Sequence, residues 1–596
     1  MPSQTTHPFL PALSPRQQKL SFCEAAPASL SHWIQSLPKA NLGEMSRQIY
    51  NALIELNQLV TPADNRFGLL ELLRAEVFFI CQQLQPELLN QPVVRDKRSQ
   101  QIDTLCQSLL VQLAAGYKLI VVQQQPSVQR NKQAQSNPLL LGAALQRCCH
   151  ALRALLLHSS GLHRLPAPGL WLELHQSYQT ACKLGAQQMA LADPQSTHEK
   201  RSIEQTWLCA VLLGCVRTNQ LHQTSIAPLL RAFEGFTSHV VLQTGQAAQN
   251  SLFIVALGKD EPPRYRTLVE SNHDDSLLGL DLASLTRAIK QCLALPEENW
   301  PQSVLPLHLP KGLNAALLQH LLRDFSQPAE RHPRSPAQGE LSLCVGLRAV
   351  HYYLAGERAF ESWLGQGAQR PAAGLFASVE TEQSTNWGST PANVDNLVTP
   401  AGNLDFAGAN ALRAEPVKVE QIPLHRQKLL NQSLGGYCLS WQNPSAPLQV
   451  GEVVGIREAN LQDWSIGQLS WVQQDGETVR VGVQQIAGTA RPCALQRVGR
   501  AGEAPFLPAL LLPVSEADTS LRLIAPSLPF AQGDQVRITS EGKESLALLI
   551  QRQSGSSNFN QFEYRLAEEE ENKAPIEEVQ STSGRETNFD ALWNTL

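Results

Sequence analysis

The run Asn431-Gln-Ser433-Leu-Gly435-Gly436 sets an amide and a hydroxyl beside a pair of glycines at the head of a β-rich segment. Short polar side chains next to bare backbone, inside a strand, offer hydrogen bonds where a flat ligand can lie close. Tyr437-Cys-Leu-Ser-Trp441 follows directly. Two further strand-like runs come after it, Ile466-Gly467-Gln-Leu-Ser-Trp471-Val and Val479-Arg-Val-Gly482-Val483. Trp441 and Trp471 fall in alternating strands and read as core residues rather than as stacking platforms.

The order of these pieces resembles the PilZ family of bacterial cyclic-di-GMP receptors. In that family an Asn/Asp-x-Ser-x-x-Gly strand is followed by a Gly-x-(Val/Leu)-x-Trp strand and a Gly-Val-x-(Phe/Leu) strand. An Arg-x-x-x-Arg loop precedes the first strand of the family, and here Glu330-Arg331-His332-Pro333-Arg334 precedes the alternating run Glu340-Leu-Ser-Leu-Cys-Val345. The resemblance covers about residues 331–354 and 424–498. It implies a cyclic-di-GMP site made by Arg331, Arg334, Asn431, Ser433, Gly435 and Gly436. A guanidinium donates in bidentate fashion to guanine O6 and N7, stacks on a base and balances phosphate charge. Asn431 and Ser433 would bond the guanine or ribose edge, and Gly436 would let the backbone approach.

Two departures stand out. The arginines are spaced Arg-x-x-Arg, one residue short, with Pro333 stiffening the turn, and a long insertion separates the two halves of the motif. Arg323, Arg348 and Arg426 are the candidate substitutes for a missing arginine. What the resemblance implies is a non-enzymatic cyclic-di-GMP receptor in a bacterial setting such as surface attachment, type IV pilus motility or exopolysaccharide control. It would relay the second messenger to a protein partner by changing the angle between the barrel and the unit before it. The alternative is a ligand-free PilZ-like scaffold or adaptor that docks partners through its helical domain and a C-terminal motif.

Composition narrows the field. Charged residues make up only 17% of the chain and the net charge is −5, which argues against duplex nucleic acid as a partner. Twelve cysteines occur with no Cys-x-x-Cys pair and no zinc-ligand spacing, so no metal is expected and a reducing cytoplasm fits. His273-Asp274-Asp275 lacks a second cluster and reads as a solvated loop, and no nucleophile has triad context. No uninterrupted apolar run approaches bilayer length, so no transmembrane segment is expected.

The chain is too long for one core and reads as a multidomain α+β protein. An N-terminal arm, 1–40, leads into an all-α helical domain, 41–235, where leucines recur at helical spacing. A small α+β middle unit, 236–330, begins with two strand-like runs, Ser238 to Gln243 and Ser251 to Ala256, around a polar turn. It continues with helices from about Leu282 and Gly312. A PilZ-like β-barrel occupies 331–500 with a Gly/Ala/Ser/Thr/Asn/Pro-rich flexible insertion at 362–417. An additional β module, 504–566, precedes a disordered acidic tail, 567–596. The tail ends in Phe589-Asp-Ala-Leu592-Trp593-Asn-Thr-Leu596, whose apolar spacing suits a short helix in a partner's groove.

Overall fold

The computed structural model describes residues 16–89, 97–124, 137–196, 200–269, 277–326, 333–365, 422–442, 448–458, 463–475, 478–498, 504–514, 520–556 and 558–567. Helices fill the N-terminal third: α1 (Pro27–Gln35), α2 (Leu42–Gln58), α3 (Ala63–Leu88), α4 (Lys97–Gln124), α5 (Pro138–Gly161), α6 (Leu170–Lys183), α7 (Ile203–Cys215) and α8 (Gln223–Phe236). Local chemistry starts them. Asn41 accepts from the Glu44 amide, Asn137 caps α5 with Pro138 in its first turn, and Ser202 and Gln205 form a reciprocal capping box on α7. Helix α1 lies within the stretch expected to be an arm, with Leu30 and Ile34 buried in the common core.

Helices α4 and α5 are each long and apolar enough to cross a bilayer, contrary to the expectation from uninterrupted runs. Glutamines and serines break those runs without lowering the average hydropathy enough. Within the fold, 61% and 83% of their most apolar stretches are buried. Between α6 and α7 a small antiparallel pair, β1 (Leu191–Ala192) and β2 (Lys200–Arg201), delivers Asp193 to Arg74 on α3. Arg74 clasps that carboxylate with both terminal nitrogens, at 2.8 and 2.9 Å.

The middle unit comprises β3 (Val241–Gln243), α9 (Gly245–Gln249), β4 (Phe253–Ala256), β5 (Arg264–Tyr265), β6 (Leu277–Asp281), α10 (Ala283–Leu293) and α11 (Ala315–Ser326). Its antiparallel sheet has the order β3-β6-β4-β5. The two runs expected to flank a turn are therefore not neighbours: a short helix joins them and β6 lies between them. Gly279 inside β6 disguised that strand. A side chain there would stand 2.6 Å from the Ala248 Cα of α9, so only glycine lets helix and sheet meet. One apolar core extends from Leu20 to Phe325, and the unit is packed into the helices rather than set apart from them.

Two closed six-stranded barrels follow. The first uses β7 (Ser335–Pro336), β8 (Glu340–Val345), β9 (His425–Ser433), β10 (Gly436–Trp441), β11 (Val453–Glu458), β12 (Ser465–Asp475) and β13 (Thr478–Ala487). Its order is β10-β13-β12-β11-β8-β9, closed by β9 pairing with β10, while β7 continues the β8 edge of β9. Helices α12 (Leu347–Leu354) and α13 (Phe360–Leu364) leave the barrel after β8. The expected insertion lies almost wholly outside the described residues.

The second barrel consists of β14 (Arg491–Arg497), β15 (Leu507–Leu512), β16 (Leu521–Pro526), β17 (Gln535–Ser540), β18 (Lys543–Gly555) and β19 (Phe559–Leu566), in the order β14-β15-β16-β19-β18-β17. Strand β14, which the sequence joined to the first barrel, pairs with β15 and β17 of the second. Only the short link Gly488-Thr-Ala490 separates it from β13, and a link of that length does not reveal the change of partner. A shared apolar layer holds the barrels together, with Val350 of α12, Val453 and Ile466 meeting Leu510, Ile524 and Phe559.

The loop entering β11 is a three-way junction. Gln449 Oε1 lies 3.0 Å from His222 Nε2 of the helical part, and the Gly451 carbonyl accepts from Ser556 Oγ of the second barrel at 2.7 Å. Burial pushes the neighbouring Glu452 carboxyl up to about 7, with the Gln449 backbone N–H offsetting part of the rise. Its Oε2 has no hydrogen-bond partner among the described residues. The folded state therefore favours the protonated acid. That contribution is complete below the unfolded carboxyl value of about 4.3 and is lost as pH rises to about 7. Glu452→Gln should accordingly melt higher than the wild type at pH 8 and much closer to it at pH 5. A thermal melt showing the same gap at both pH values would contradict this assignment.

Candidate functional site

Strand β9 positions the motif. Its first half, His425 to Lys428, pairs with Leu343 to Glu340 of β8. Its second half pairs on the same edge with β7, which sets Ser335 opposite Gln432 and Pro336 opposite Asn431. Arg334 immediately precedes β7 and is thereby brought beside the Asn431 strand, although the whole insertion lies between them in the chain. Arg331 lies outside the described residues.

The register then carries three rows across β9, β10, β13 and β12. Asn431 faces Cys438, Cys438 faces Gly482, and Gly482 faces Trp471. The row on one side is Lys428, Ser440, Arg480, Gln473, and on the other Ser433, Gly436, Gln484, Gln468. The residues that alternate with them, Leu439, Trp441, Val479, Val481 and Val483, fill the barrel core. The three rows therefore lie on the outward face.

Cys438 is buried although it belongs to that outward face. Burial pushes its thiol up, while the guanidiniums of Arg334 and Arg480 and a hydrogen bond with the Asn431 side chain pull it down. The Asn431 side chain of β9 thus bonds the sulfur, Arg480 of β13 and Arg334 before β7 act on it through their charge, and the two cations give the patch a potential suited to an anion. Among the described residues no group of three or more His, Cys, Asp or Glu side chains is placed to hold a metal ion.

Ser433 and the glycines form the hairpin end. Ser433 Oγ donates to the Gly436 carbonyl at 3.4 Å, and the Gly435 carbonyl accepts from the Gln485 amide at 2.9 Å. Leu434 at the tip is 95% exposed. Gly436 has φ +155°, and a β-carbon there would sit 2.0 Å from the Val483 carbonyl oxygen. The close approach that demands glycine is thus made by β13.

Trp441 is in the core, as expected, but Trp471 is not. A bulge between Leu469 and Trp471 turns the indole outward, where it lies half-buried across Gly482. A β-carbon on Gly482 would meet the indole Nε1 at 1.9 Å. Of the arginines considered as substitutes, Arg348 is paired with Glu361 at 2.8 Å, Arg323 belongs to α11, and Arg426 lies on β9 beyond Lys428. The arginine that joins Arg334 is Arg480, which sequence reasoning passed over. Its signal was parity: in Val479-Arg-Val-Gly482 the arginine and the glycine share a face. The tail residues Phe589, Leu592, Trp593 and Leu596, and the run His273 to Asp275, lie outside the described residues.

A closed six-stranded barrel entered by an arginine-bearing strand, with an Asn-x-Ser hairpin beside it, has the layout of a PilZ domain. The family model for the middle PilZ domain of the cyclic-di-GMP receptor FimW matches residues 252–492. Those for the FimW N-terminal domain and the FimW C-terminal β-barrel domain match 28–248 and 493–567. A curated relative, the cyclic-di-GMP receptor FimW of Pseudomonas aeruginosa (strain PAO1), is 38% identical over 617 aligned positions, covering 100% of both chains. The chain belongs to the FimW family. No solved structure matches it.

Gly482→Ala should displace Trp471, so the tryptophan emission of the intact protein should shift to longer wavelength. The same substitution in a Trp471→Phe background should leave emission unchanged. An identical shift in both backgrounds would place the disturbance elsewhere.

Proposed function

We propose that this protein is a non-enzymatic cyclic-di-GMP receptor. The observation that carries the proposal is the juxtaposition of Arg334 with the Asn431 strand on the outward face of a PilZ-type barrel. Two phosphodiester anions and two guanines need cationic donors and short polar groups side by side, and Arg331, Arg334, Asn431, Ser433, Gly435 and Gly436 are the residues assigned to them. The FimW relative is itself a cyclic-di-GMP receptor, which agrees with this reading. All twelve cysteines are unpaired, which suits a cytoplasmic protein.

The route of the signal follows β12 rather than the α+β unit. Three residues beyond Trp471, the Gln474 amide donates to the His163 carbonyl at 2.8 Å, and the Leu165 amide donates to the Gln474 carbonyl at 3.4 Å. His163 is held in turn by its Nε2, 2.9 Å from the Leu221 carbonyl. Arg164 reaches the buried carboxylate of Asp103, which also meets His158 Nε2 at 2.7 Å. A ligand that shifts β12 would therefore press on a turn anchored to α4 and α5, and the coupling would be reciprocal. The helical part and the motif Phe589, Leu592, Trp593, Leu596 are the surfaces assigned to a protein partner, in surface attachment, pilus motility or exopolysaccharide control.

Calorimetric titration of the full chain with cyclic-di-GMP tests the receptor reading. Saturable binding is expected, weakened about tenfold or more by Arg334→Ala, since a charge-assisted contact contributes roughly 1.5–3 kcal/mol. Ser433→Ala should weaken it less. A wild-type chain without saturable binding would leave the ligand-free adaptor as the better account. Hydrogen exchange at the Leu165 and Gln474 amides should slow when ligand is added. Exchange that stays constant at saturating ligand would rule out the β12 route.

A further inference from the structure

We infer that Arg480 supplies a further phosphate-binding cation of the site, in addition to the arginine loop. The inference rests on the receptor reading above and adds a residue outside the segments that carry the PilZ resemblance's arginines.

Geometry makes the case. Strands β7, β9, β10 and β13 lie side by side, so the strands beside Arg334 and Arg480 are three spacings apart, roughly 14 Å, and the register sets the two residues on either side of the Asn431–Cys438 row. The midpoint of the arrangement is β9–β10, where Asn431 and Cys438 stand opposite each other. Both guanidiniums act on the Cys438 thiol, which agrees with their convergence over that point. They approach from opposite sides of the Cys438–Gly482 floor. A cyclic dinucleotide carries its two phosphodiesters on opposite sides of a ring, so each cation can face one of them.

The surroundings of Arg480 favour a ligand over a structural partner. Its cross-strand neighbours are Ser440 and Gln473, and the next residue along that row is Lys428, so the row itself holds no carboxylate, and Asp475 stands only diagonally across on β12. It is exposed, while Val479 and Val481 on either side are buried in the barrel core, which fixes the direction of its side chain. Gly482, on the same face of the same strand, seats the Trp471 indole beside it. By contrast Arg348 is already paired with Glu361, and Arg497 with Asp534 at 2.9 Å. The alternative, an idle surface charge, is an outcome of the test.

The test titrates cyclic-di-GMP into the full chain carrying Arg480→Ala, Arg480→Lys or Arg565→Ala, each compared with the wild type. Arg565 is an exposed arginine of the second barrel and reports the effect of removing charge in general. The expected result is a Kd raised at least tenfold by Arg480→Ala, partly restored by Arg480→Lys and unmoved by Arg565→Ala, with melting temperatures unchanged. The affinity of Arg480→Ala should also vary less with salt, because one ionic contact is gone. A wild type that binds while Arg480→Ala binds equally well, with the same salt dependence, would overturn the assignment of Arg480 and leave the receptor intact. A wild type that binds nothing would overturn the receptor reading itself and this assignment with it.

Discussion

Strand β9 is hydrogen-bonded along both edges, and the organisation of the first barrel depends on that. One edge takes β8 and then β7, and the other takes β10, so this strand closes the barrel and also places the arginine segment. Closure removes the open edge that a sheet would otherwise present to other chains. It also requires β10 to approach β13 closely at Gly436, where the Val483 carbonyl leaves no room for a side chain. The motif glycine is in this way a condition for barrel closure first, and for the polar rows on the outward face as a result.

Charge is used differently in the two halves of the molecule. In the helices, arginines are buried and committed: Arg74 to Asp193 and Arg153 to Glu234. Breaking one member of such a pair leaves an uncompensated buried charge, which typically costs 3–5 kcal/mol. On the first barrel, Arg334 and Arg480 are exposed, and the row that holds Arg480 contains no carboxylate. Charge in the helical part is thus spent on internal pairs, and the barrel face keeps its cations available.

The sequence made the strands around the motif legible because each alternates over a one-sided core: Leu341 and Leu343, then Leu439 and Trp441, then Val479, Val481 and Val483. It also carried the Asn-x-Ser hairpin and the long helices. What it did not carry was register. The bulge beside Trp471 shifts that residue from the core face to the outward face, and no local pattern announces a bulge. Arg480 was missed for the same reason, since its neighbours are set by pairing with β10 and β12. Strand β6 was hidden by Gly279, a residue that lowers strand propensity and is required by a helix elsewhere in the chain. The exchange of partners at β14 is a question of topology, which apolar texture alone does not encode.

The exit and re-entry of the chain between β8 and β9 have a further consequence. Leu343 and His425 face each other across adjacent strands, and the Tyr353 hydroxyl of α12 holds the Ile422 carbonyl at 2.6 Å just before β9 begins. The stretch between therefore starts and finishes at almost the same place on the barrel. For a loop with its ends already joined, the entropy of closure grows only with the logarithm of length. Segments could be gained or lost there over evolutionary time, and whole recognition elements grafted in, while the barrel beneath kept its shape.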